Sequence, residues 1–417
     1  MTERSGDLNQ FGFLLGRVNY LTRIAVLSFL AGFGPILVST VLVLTPAAVS
    51  AQAEKQPADA IDFDKARAIF QKRQRGEKIT ADEEAYVQKA MAARRAANPN
   101  GNSPNGPQRQ SAPMPRETIG LKPLTEMSAK DRYKDQDGGL YGDGRNSPPE
   151  AHQRAAEAGL ARIQPLNAEG QPAGNGRIVF VSLSMSNATQ EFSRFKQLAD
   201  ADPAKSAKLT IVDCAQGGQA MAEWAPPDAR PWTVAEQRIA AAGVAPKQVQ
   251  VAWVKLANKG PRGELASHGK TLQRDTLALI QNTKTRFPNL RIVYLSSRIY
   301  GGYATGNLNP EPYAYESAFA ARWLIQDQIK GDAALNYDAD KGAVKAPLLL
   351  WGPYLWADGT TPRKSDKLAY TRDDLAGDGT HPSEAGRDKV AKLMLEFYKT
   401  DPLAKSWFAR TQGADRR

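Results

Sequence analysis

Cysteine and histidine are both scarce in this chain of 417 residues, and their scarcity narrows the chemistry open to it. Cys214 is the single cysteine, so the chain can form no intramolecular disulfide and no zinc site built from cysteines. The histidines are His152, His268 and His381. Because histidine is the usual catalytic base at neutral pH, a base of that kind must be one of these three residues.

The chain also lacks a concentrated block of charge. Its 55 basic and 44 acidic residues give a net charge of +11, and the basic residues are spread along the sequence. No zinc-finger, RNA-recognition or basic-zipper pattern is present, so the sequence predicts no nucleic-acid partner. With 41% hydrophobic residues, the composition is that of a globular protein that can bury a core without disulfides.

Residues 1–51 are predicted to direct export. Arg17 and Arg23 precede a run without charged residues at 24–53, and small residues near the end of this run fit a signal-peptidase site. The stretch 24–44 is also about 20 residues long, which is enough to span a bilayer if it stays uncleaved. We expect a cleaved signal peptide and a periplasmic or secreted protein. The alternative is a tether to the inner membrane through this segment.

Three further segments follow the leader. Residues 52–97 are predicted to form a short helical hairpin, in which Thr80 and Glu83 have the spacing of a capping box. Residues 98–118 are rich in Asn, Gly and Pro, which predicts a flexible linker. The remaining stretch, 119–410, is predicted to be the main domain.

The main domain alternates between apolar strands and helices. Its short apolar runs are nearly continuous, which is typical of strands buried on both faces. They lie at Arg177–Ser182, Leu209–Asp213, Val249–Val254, Leu290–Leu295 and Pro347–Trp351. This alternation predicts an α/β fold with a five-stranded parallel sheet and helices on both sides. In such sheets the ligand site lies at the carboxyl ends of the strands.

Ser186 follows the first predicted strand. Asn187 and Gln190 have capping-box spacing, so a helix is expected to begin directly after Ser186. The free N–H groups at the start of that helix would suit a developing oxyanion beside the serine hydroxyl. A plain helix-capping serine explains the same segment. Ser184 is the weaker candidate because it is expected to lie within the strand.

His381 is the strongest candidate for the base. It stands three residues after Asp378 on a glycine-containing turn, directly before the last predicted helix. This turn can place the carboxylate against Nδ1–H of the imidazole and leave Nε2 free to face a serine. A capped turn is the alternative explanation of the Asp-x-x-His pattern.

Donors for an oxyanion are expected after the second and third strands. Gly218 can bring a backbone N–H close to a reacting centre, and Asn258 can supply a side-chain amide. Each residue alone is also typical of a turn or a strand end. Together the ends of three strands supply a nucleophile and two donors.

These motifs and their order along the chain resemble those of the SGNH hydrolases, the superfamily of GDSL-type esterases and lipases. The resemblance implies that Ser186 is the nucleophile and that Asp378 and His381 complete a triad. It also implies an oxyanion hole made of the N–H groups of Ser186 and Gly218 and the side chain of Asn258. The implied fold is the three-layer α/β/α sandwich, with no metal and no organic cofactor.

Two motifs depart from the SGNH pattern. Ser184-Met185-Ser186 stands where the family has Gly-Asp-Ser, and 256–259 reads Leu-Ala-Asn-Lys where the family has Gly-x-Asn-Asp. These changes indicate a divergent branch that resembles exported bacterial members.

The expected activity is hydrolysis of a carboxylic ester, with an acetyl or other short acyl group carried by a small molecule or a polysaccharide. Arg298, Tyr300 and Trp351 flank the fourth and fifth strands and are candidates for substrate contact. The alternative is a catalytically impaired SGNH-fold protein that binds carbohydrate or acts as a scaffold.

Overall fold

The computed structural model describes residues 61–74, 79–96 and 114–410. The predicted leader at 1–51 and most of the predicted linker at 98–118 lie outside these residues. None of the described helices is long and apolar enough to cross a membrane.

Two helices, α1 (Phe63–Gln74) and α2 (Ala81–Ala96), occupy the segment in which a hairpin was predicted. Thr80 and Glu83 cap the second helix reciprocally, with N–H to side-chain oxygen distances of 3.0 and 3.1 Å. The buried apolar side chains of this pair are Ala66, Ile69, Val87 and Ala90.

The backbone at residues 116 and 117 already pairs with the main domain. The N–H of Arg116 donates to the carbonyl of Gly302 over 2.8 Å, and the carbonyl of Glu117 accepts from Thr360 over 3.0 Å. The last residues of the predicted linker therefore pair with the main domain.

The sheet contains five parallel strands in the order β2-β1-β3-β4-β5. The strands are β1 (Ile178–Leu183), β2 (Leu209–Asp213), β3 (Val249–Lys255), β4 (Ile292–Ser296) and β5 (Leu348–Trp351). Every residue of β1, β3, β4 and β5 is buried, which explains why these runs are almost continuously apolar. The predicted sheet is confirmed, and each strand begins and ends within two residues of its predicted position.

Helices cover both faces of the sheet. They are α3 (Glu150–Leu160), α4 (Ser186–Ala201), α5 (Met221–Trp224), α6 (Arg230–Ala241), α7 (Leu265–Arg286), α8 (Tyr313–Ile329), α9 (Glu384–Thr400) and α10 (Lys405–Phe408). From β1 the chain passes through α4 to β2 at one edge of the sheet. It then passes through α6, α7 and α8 in turn toward β5 at the other edge. Because parallel crossovers are right-handed, α4 lies on the face opposite these three helices. The α9 helix packs against α4, which completes the three-layer sandwich.

The glycine and lysine that follow His268 suggest a loop, but the structure has a helix there. His268 lies inside α7, which begins at Leu265, and it is buried against Glu316 of α8. Gly269 does not mark a turn there. A Cβ at this position would lie 3.0 Å from the ring of Trp323, so the glycine allows α7 and α8 to approach closely.

Candidate active site

Ser186 is the first residue of α4, at the carboxyl end of β1. Met185, two residues beyond the end of β1, is still extended, so the chain turns sharply into the helix at the serine. Asn187 does not cap the helix as its spacing with Gln190 suggests. Its side-chain amide donates instead to the carbonyl of Thr380 over 2.7 Å. This bond attaches the start of α4 to the loop that carries His381.

Ser186, His381 and Asp378 form a continuous hydrogen-bonded chain. Oγ of Ser186 lies 2.7 Å from Nε2 of His381, and Nδ1 of His381 lies 2.6 Å from Oδ2 of Asp378. With Nδ1–H donating to the carboxylate, Nε2 is the acceptor for the serine hydroxyl. The three side chains come from the two ends of the domain sequence and meet above β1.

The loop before α9 is shaped to hold this arrangement. The other oxygen of Asp378, Oδ1, accepts from the backbone N–H groups of Thr380 and His381, each over 3.0 Å. Gly379 has a φ of +64°, and a Cβ there would lie 1.7 Å from the carbonyl oxygen of Tyr303. Only glycine fits this turn, because any side chain would collide with the neighbouring backbone.

Hydrogen bonding favours the ionised form of Asp378. Partial burial alone would raise the pKa of this carboxyl, but the bonds from the His381 ring and from two backbone N–H groups hold that pKa well below its ordinary value. Asp378 is therefore an anion at neutral pH and can stabilise an imidazolium next to it.

Ser184 does not compete for the base. Its side chain is fully buried, and its Oγ donates to the carbonyl of Lys255 over 2.5 Å. Ser186, by contrast, is 7% exposed and contacts the imidazole. Of the two serines in the motif, only Ser186 is placed for nucleophilic attack.

Gly218 lies in a turn beside the serine. The N–H of Gln219 donates to the carbonyl of Gln216, and Gly218 occupies the third position of this turn with a φ of +75°. No acceptor among the described residues takes the N–H of Gly218. Lys259, which stands where the SGNH motif has aspartate, donates to the carbonyl of Gly218 over 3.0 Å. The lysine thus helps to fix the orientation of the turn.

Asn258 follows β3 and is only partly free. Its side-chain oxygen accepts from the N–H of Ala222 over 2.9 Å, and Nδ2 donates to Asp275 over 2.7 Å. An amide nitrogen carries two hydrogens, so one remains for an oxyanion. Asp275 on α7 is a positioning residue that sequence reasoning missed.

Met185 replaces the polar residue of the SGNH motif with an apolar contact. It is buried in a small cluster with Ala220 and Ala257, at the ends of the segments that follow β2 and β3. The N–H of Met221 also donates to the carbonyl of Ala257 over 3.0 Å. Packing therefore joins the three strand-end segments.

Two of the predicted substrate contacts, Tyr300 and Trp351, are buried in the structure. Tyr300 is fully buried, and its hydroxyl donates to the carbonyl of Arg116. Trp351 is 5% exposed, and its indole N–H donates to the carbonyl of Leu140. Neither ring offers a face to a sugar, because both hold the segment before β1 against the domain. Arg298 does lie at the carboxyl edge of the sheet, two residues beyond β4.

A buried ion pair beneath the serine was also missed. Lys255 at the end of β3 binds both carboxylate oxygens of Glu191 on α4 at 2.6 Å, and both side chains are fully buried. Burial, aided by the nearby charge of Arg298 and opposed by Glu191, lowers the pKa of Lys255 to about 8. The pair attaches α4 to the centre of the sheet.

The other two histidines serve the core. Nε2 of His152 contacts the carbonyl of Leu349 at 2.8 Å, and burial lowers the pKa of this imidazole. His268 contacts Glu316. Within residues 61–74, 79–96 and 114–410, no group of three His, Cys, Asp or Glu side chains is arranged to hold a metal ion.

No protein-family model matches the chain, and no curated protein matches it either. Similar solved structures include a candidate acylhydrolase from Bacteroides fragilis, which is 13% identical and aligns over 60% of this chain and 97% of its own, with a TM-score of 0.32. The periplasmic domain of a lipopolysaccharide acetyltransferase from Salmonella Paratyphi A is 14% identical over 59% of this chain and 95% of its own, with a TM-score of 0.27. A protein from Arabidopsis thaliana is 17% identical over 52% and 66%, with a TM-score of 0.28.

At these identities the likeness concerns the fold alone. The described residues form a three-layer α/β/α domain with a Ser–His–Asp arrangement at the carboxyl edge of its sheet.

Proposed function

We propose that this protein is an exported serine esterase of the SGNH type that hydrolyses a carboxylic ester through an acyl-enzyme. The observation that carries the proposal is the hydrogen-bonded series of Ser186, His381 and Asp378. An accidental cluster would not be expected to combine a serine at a helix start, a correctly oriented imidazole and an ionised carboxylate.

The proposed reaction has two steps. Oγ of Ser186 attacks the acyl carbon while Nε2 of His381 takes the hydroxyl proton, and Asp378 stabilises the imidazolium that forms. The alcohol then leaves with that proton, and the acyl group stays on Ser186. In the second step water attacks the acyl carbon and gives a proton to His381, which passes it to Oγ of Ser186 as the acyl–serine bond breaks and the acid leaves.

Three donors support the tetrahedral intermediate in this proposal. The N–H of Ser186 lies at the start of α4, the N–H of Gly218 lies in the adjacent turn, and Asn258 has one amide hydrogen to spare. Donors fixed in advance stabilise the developing oxyanion without reorganisation during the reaction.

The alcohol part of the substrate is proposed to be polar, such as a sugar. A groove of 570 Å³ begins one helical turn along α4 from Ser186. Its lining is polar and charged and includes Gln190, Arg238 and Arg387. Such a lining suits hydroxyl-rich molecules better than long acyl chains. The acid part of the ester is therefore proposed to be a short acyl group, acetyl above all. The predicted leader supports action outside the cytoplasm.

The proposal is tested with the purified full-length protein on 4-nitrophenyl acetate and on acetylated xylan. We expect hydrolysis that Ser186→Ala and His381→Ala each abolish, while Ser267→Ala, at an exposed serine of α7, retains it. A fluorophosphonate should label Ser186 and no other serine. Absence of turnover on both substrates together with absence of labelling would contradict the esterase proposal.

The replaced motif residues and the bond between Asn258 and Asp275 favour one alternative, an SGNH-fold carbohydrate-binding protein without turnover. That protein would bind deacetylated and acetylated xylan alike and would not react with the fluorophosphonate. Its binding of xylan would be the same in Ser186→Ala and in the wild type.

A further inference from the structure

A buried cation lies beside the candidate active site without a counter-ion in contact. Arg298 is 2% exposed, and its Nε and Nη2 atoms are fully buried with no hydrogen-bond partner among the described residues. The backbone N–H of Arg298 donates to Oγ of Ser317, so the chain at this position is firmly held. An unpaired buried guanidinium is costly, and proteins normally pair such a group or give it a ligand.

The nearby carboxylates are already engaged. Both oxygens of Glu191 bind Lys255. Glu311 accepts from the N–H groups of Gly301 and Tyr315 and from the indole of Trp356. Among the described residues, the side chain of Arg298 makes no ion pair within 4.0 Å, either with these two carboxylates or with any other. This leaves the guanidinium with donors in a fixed planar array and no acceptor.

Arg298 lies at the same sheet edge as the triad. It follows β4, which pairs with β3, and β3 pairs with β1, whose carboxyl end leads to Ser186. Neighbouring strands are about 4.8 Å apart, so Arg298 leaves the sheet roughly 10 Å from the serine. The charges of Asp378 and Arg298 interact, which places the guanidinium within electrostatic reach of the triad.

We propose that Arg298 binds an anionic group of the substrate, a carboxylate or a phosphate, close to the ester that Ser186 attacks. This inference rests on the proposed function and deepens it, because it assigns the substrate to the esters of acidic molecules. A planar guanidinium can bind two oxygens of either anion at once. The anion would neutralise the buried charge and orient the ester toward Ser186.

The first experiment compares matched anionic and neutral esters with the full-length protein. For an anion on the alcohol side the pair is 4-acetoxybenzoate and 4-acetoxybenzamide. For an anion on the acyl side it is 4-nitrophenyl succinate and 4-nitrophenyl butyrate. For each pair we compare kcat/KM of the anionic ester with kcat/KM of the neutral ester. In one of the two pairs we expect Arg298→Gln to lower this ratio about 10- to 100-fold, chiefly through the KM of the anionic ester.

Two further variants make this comparison specific. Arg298→Lys keeps the charge but loses the planar pair of donors, so it should retain part of the ratio. Arg154→Gln, at an exposed arginine of α3, should leave the ratio as in the wild type.

The second experiment measures binding without turnover. Succinate and inorganic phosphate are added to the Ser186→Ala protein, with chloride at matched ionic strength as the control. We expect at least one of these anions to raise the melting temperature above the chloride value, and Arg298→Gln to remove the increase.

The two proposals fail in distinguishable ways. If the wild type hydrolyses neither the neutral nor the anionic esters and is not labelled by the fluorophosphonate, the esterase proposal fails, and the binding experiment alone decides the role of Arg298. If neutral esters are hydrolysed, the esterase proposal stands. The anion site is overturned if both ratios and both melting-temperature shifts are the same with and without Arg298, and a dependence on Arg298 in either experiment supports it.

Discussion

Asp378 is the residue on which the orientation of His381 depends. It binds the ring at Nδ1 and the backbone of the same residue, so it fixes both the tautomer and the position of the imidazole. Its ionised form would also compensate the positive charge that the imidazole gains in the first step of the proposed reaction.

We predict that Asp378→Asn lowers kcat by about 10²- to 10⁴-fold on 4-nitrophenyl acetate at pH 7, with little change in KM. The amide can present an N–H to Nδ1, which favours the tautomer in which Nε2 carries the proton and cannot accept one from Ser186. The measurement is steady-state kinetics beside Asp373→Asn, an exposed neighbour that should behave as the wild type. A loss of less than threefold would mean that another group orients His381.

Sequence reasoning pointed to Ser186, His381 and Asp378 because these residues stand next to strand and helix signals, but it could not find the support around them. Asp275 binds Asn258 from a helix that begins seven residues after it, and nothing in the local sequence marks that contact. The same holds for Asn187, whose spacing with Gln190 suggests a cap although its partner is Thr380, 193 residues away. Long-range contacts of polar side chains leave no periodic signal.

At the scale of elements, the position of α4 depends on a buried charge pair. Lys255 and Glu191 join the middle of the sheet to the helix that begins with Ser186. Removal of one partner leaves an uncompensated charge in the core. Removal of both partners leaves no charge there, and only the packing of the side chains changes.

We predict that Lys255→Met and Glu191→Leu each lower the free energy of unfolding by about 3–5 kcal/mol. The double variant should be more stable than either single variant, since no unpaired charge remains. Urea denaturation of the four proteins at pH 7 gives the interaction energy of the pair. Additive losses in the double variant would show that the two side chains act independently.

Elements were predictable wherever burial on both faces imposed a continuous apolar pattern, as in β1, β3, β4 and β5. The start of α7 was not predictable, because Gly269 and Lys270 beside His268 suggest a loop. In the structure the glycine allows the helix to pack against Trp323. The burial of Tyr300 and Trp351 was not predictable for a related reason. Their place at strand ends is visible in the sequence, but the segment before β1 that covers them is not.

At the scale of the whole molecule, the buried carboxyl of Glu311 makes the free energy of unfolding depend on pH. Glu311 is 6% exposed and joins the backbone at Gly301 and Tyr315 to the indole of Trp356. Burial raises the pKa of Glu311 from 4.5 to about 7, although these three donors act in the opposite direction. The folded protein therefore retains a proton on Glu311 at pH values where the unfolded chain has released it.

We predict that the contribution of Glu311 to stability is fully present below pH 4.5 and is lost as the pH rises through about 7. The shift corresponds to about 3 kcal/mol across this range. Glu311→Gln cannot titrate, so the difference in unfolding free energy between wild type and variant should move by that amount in favour of the variant between pH 4.5 and pH 8. Urea denaturation of both proteins at several pH values measures it, and subtraction removes the titration of groups they share, including Asp378. A difference that stays constant with pH would show that the three donors keep Glu311 ionised in the folded protein.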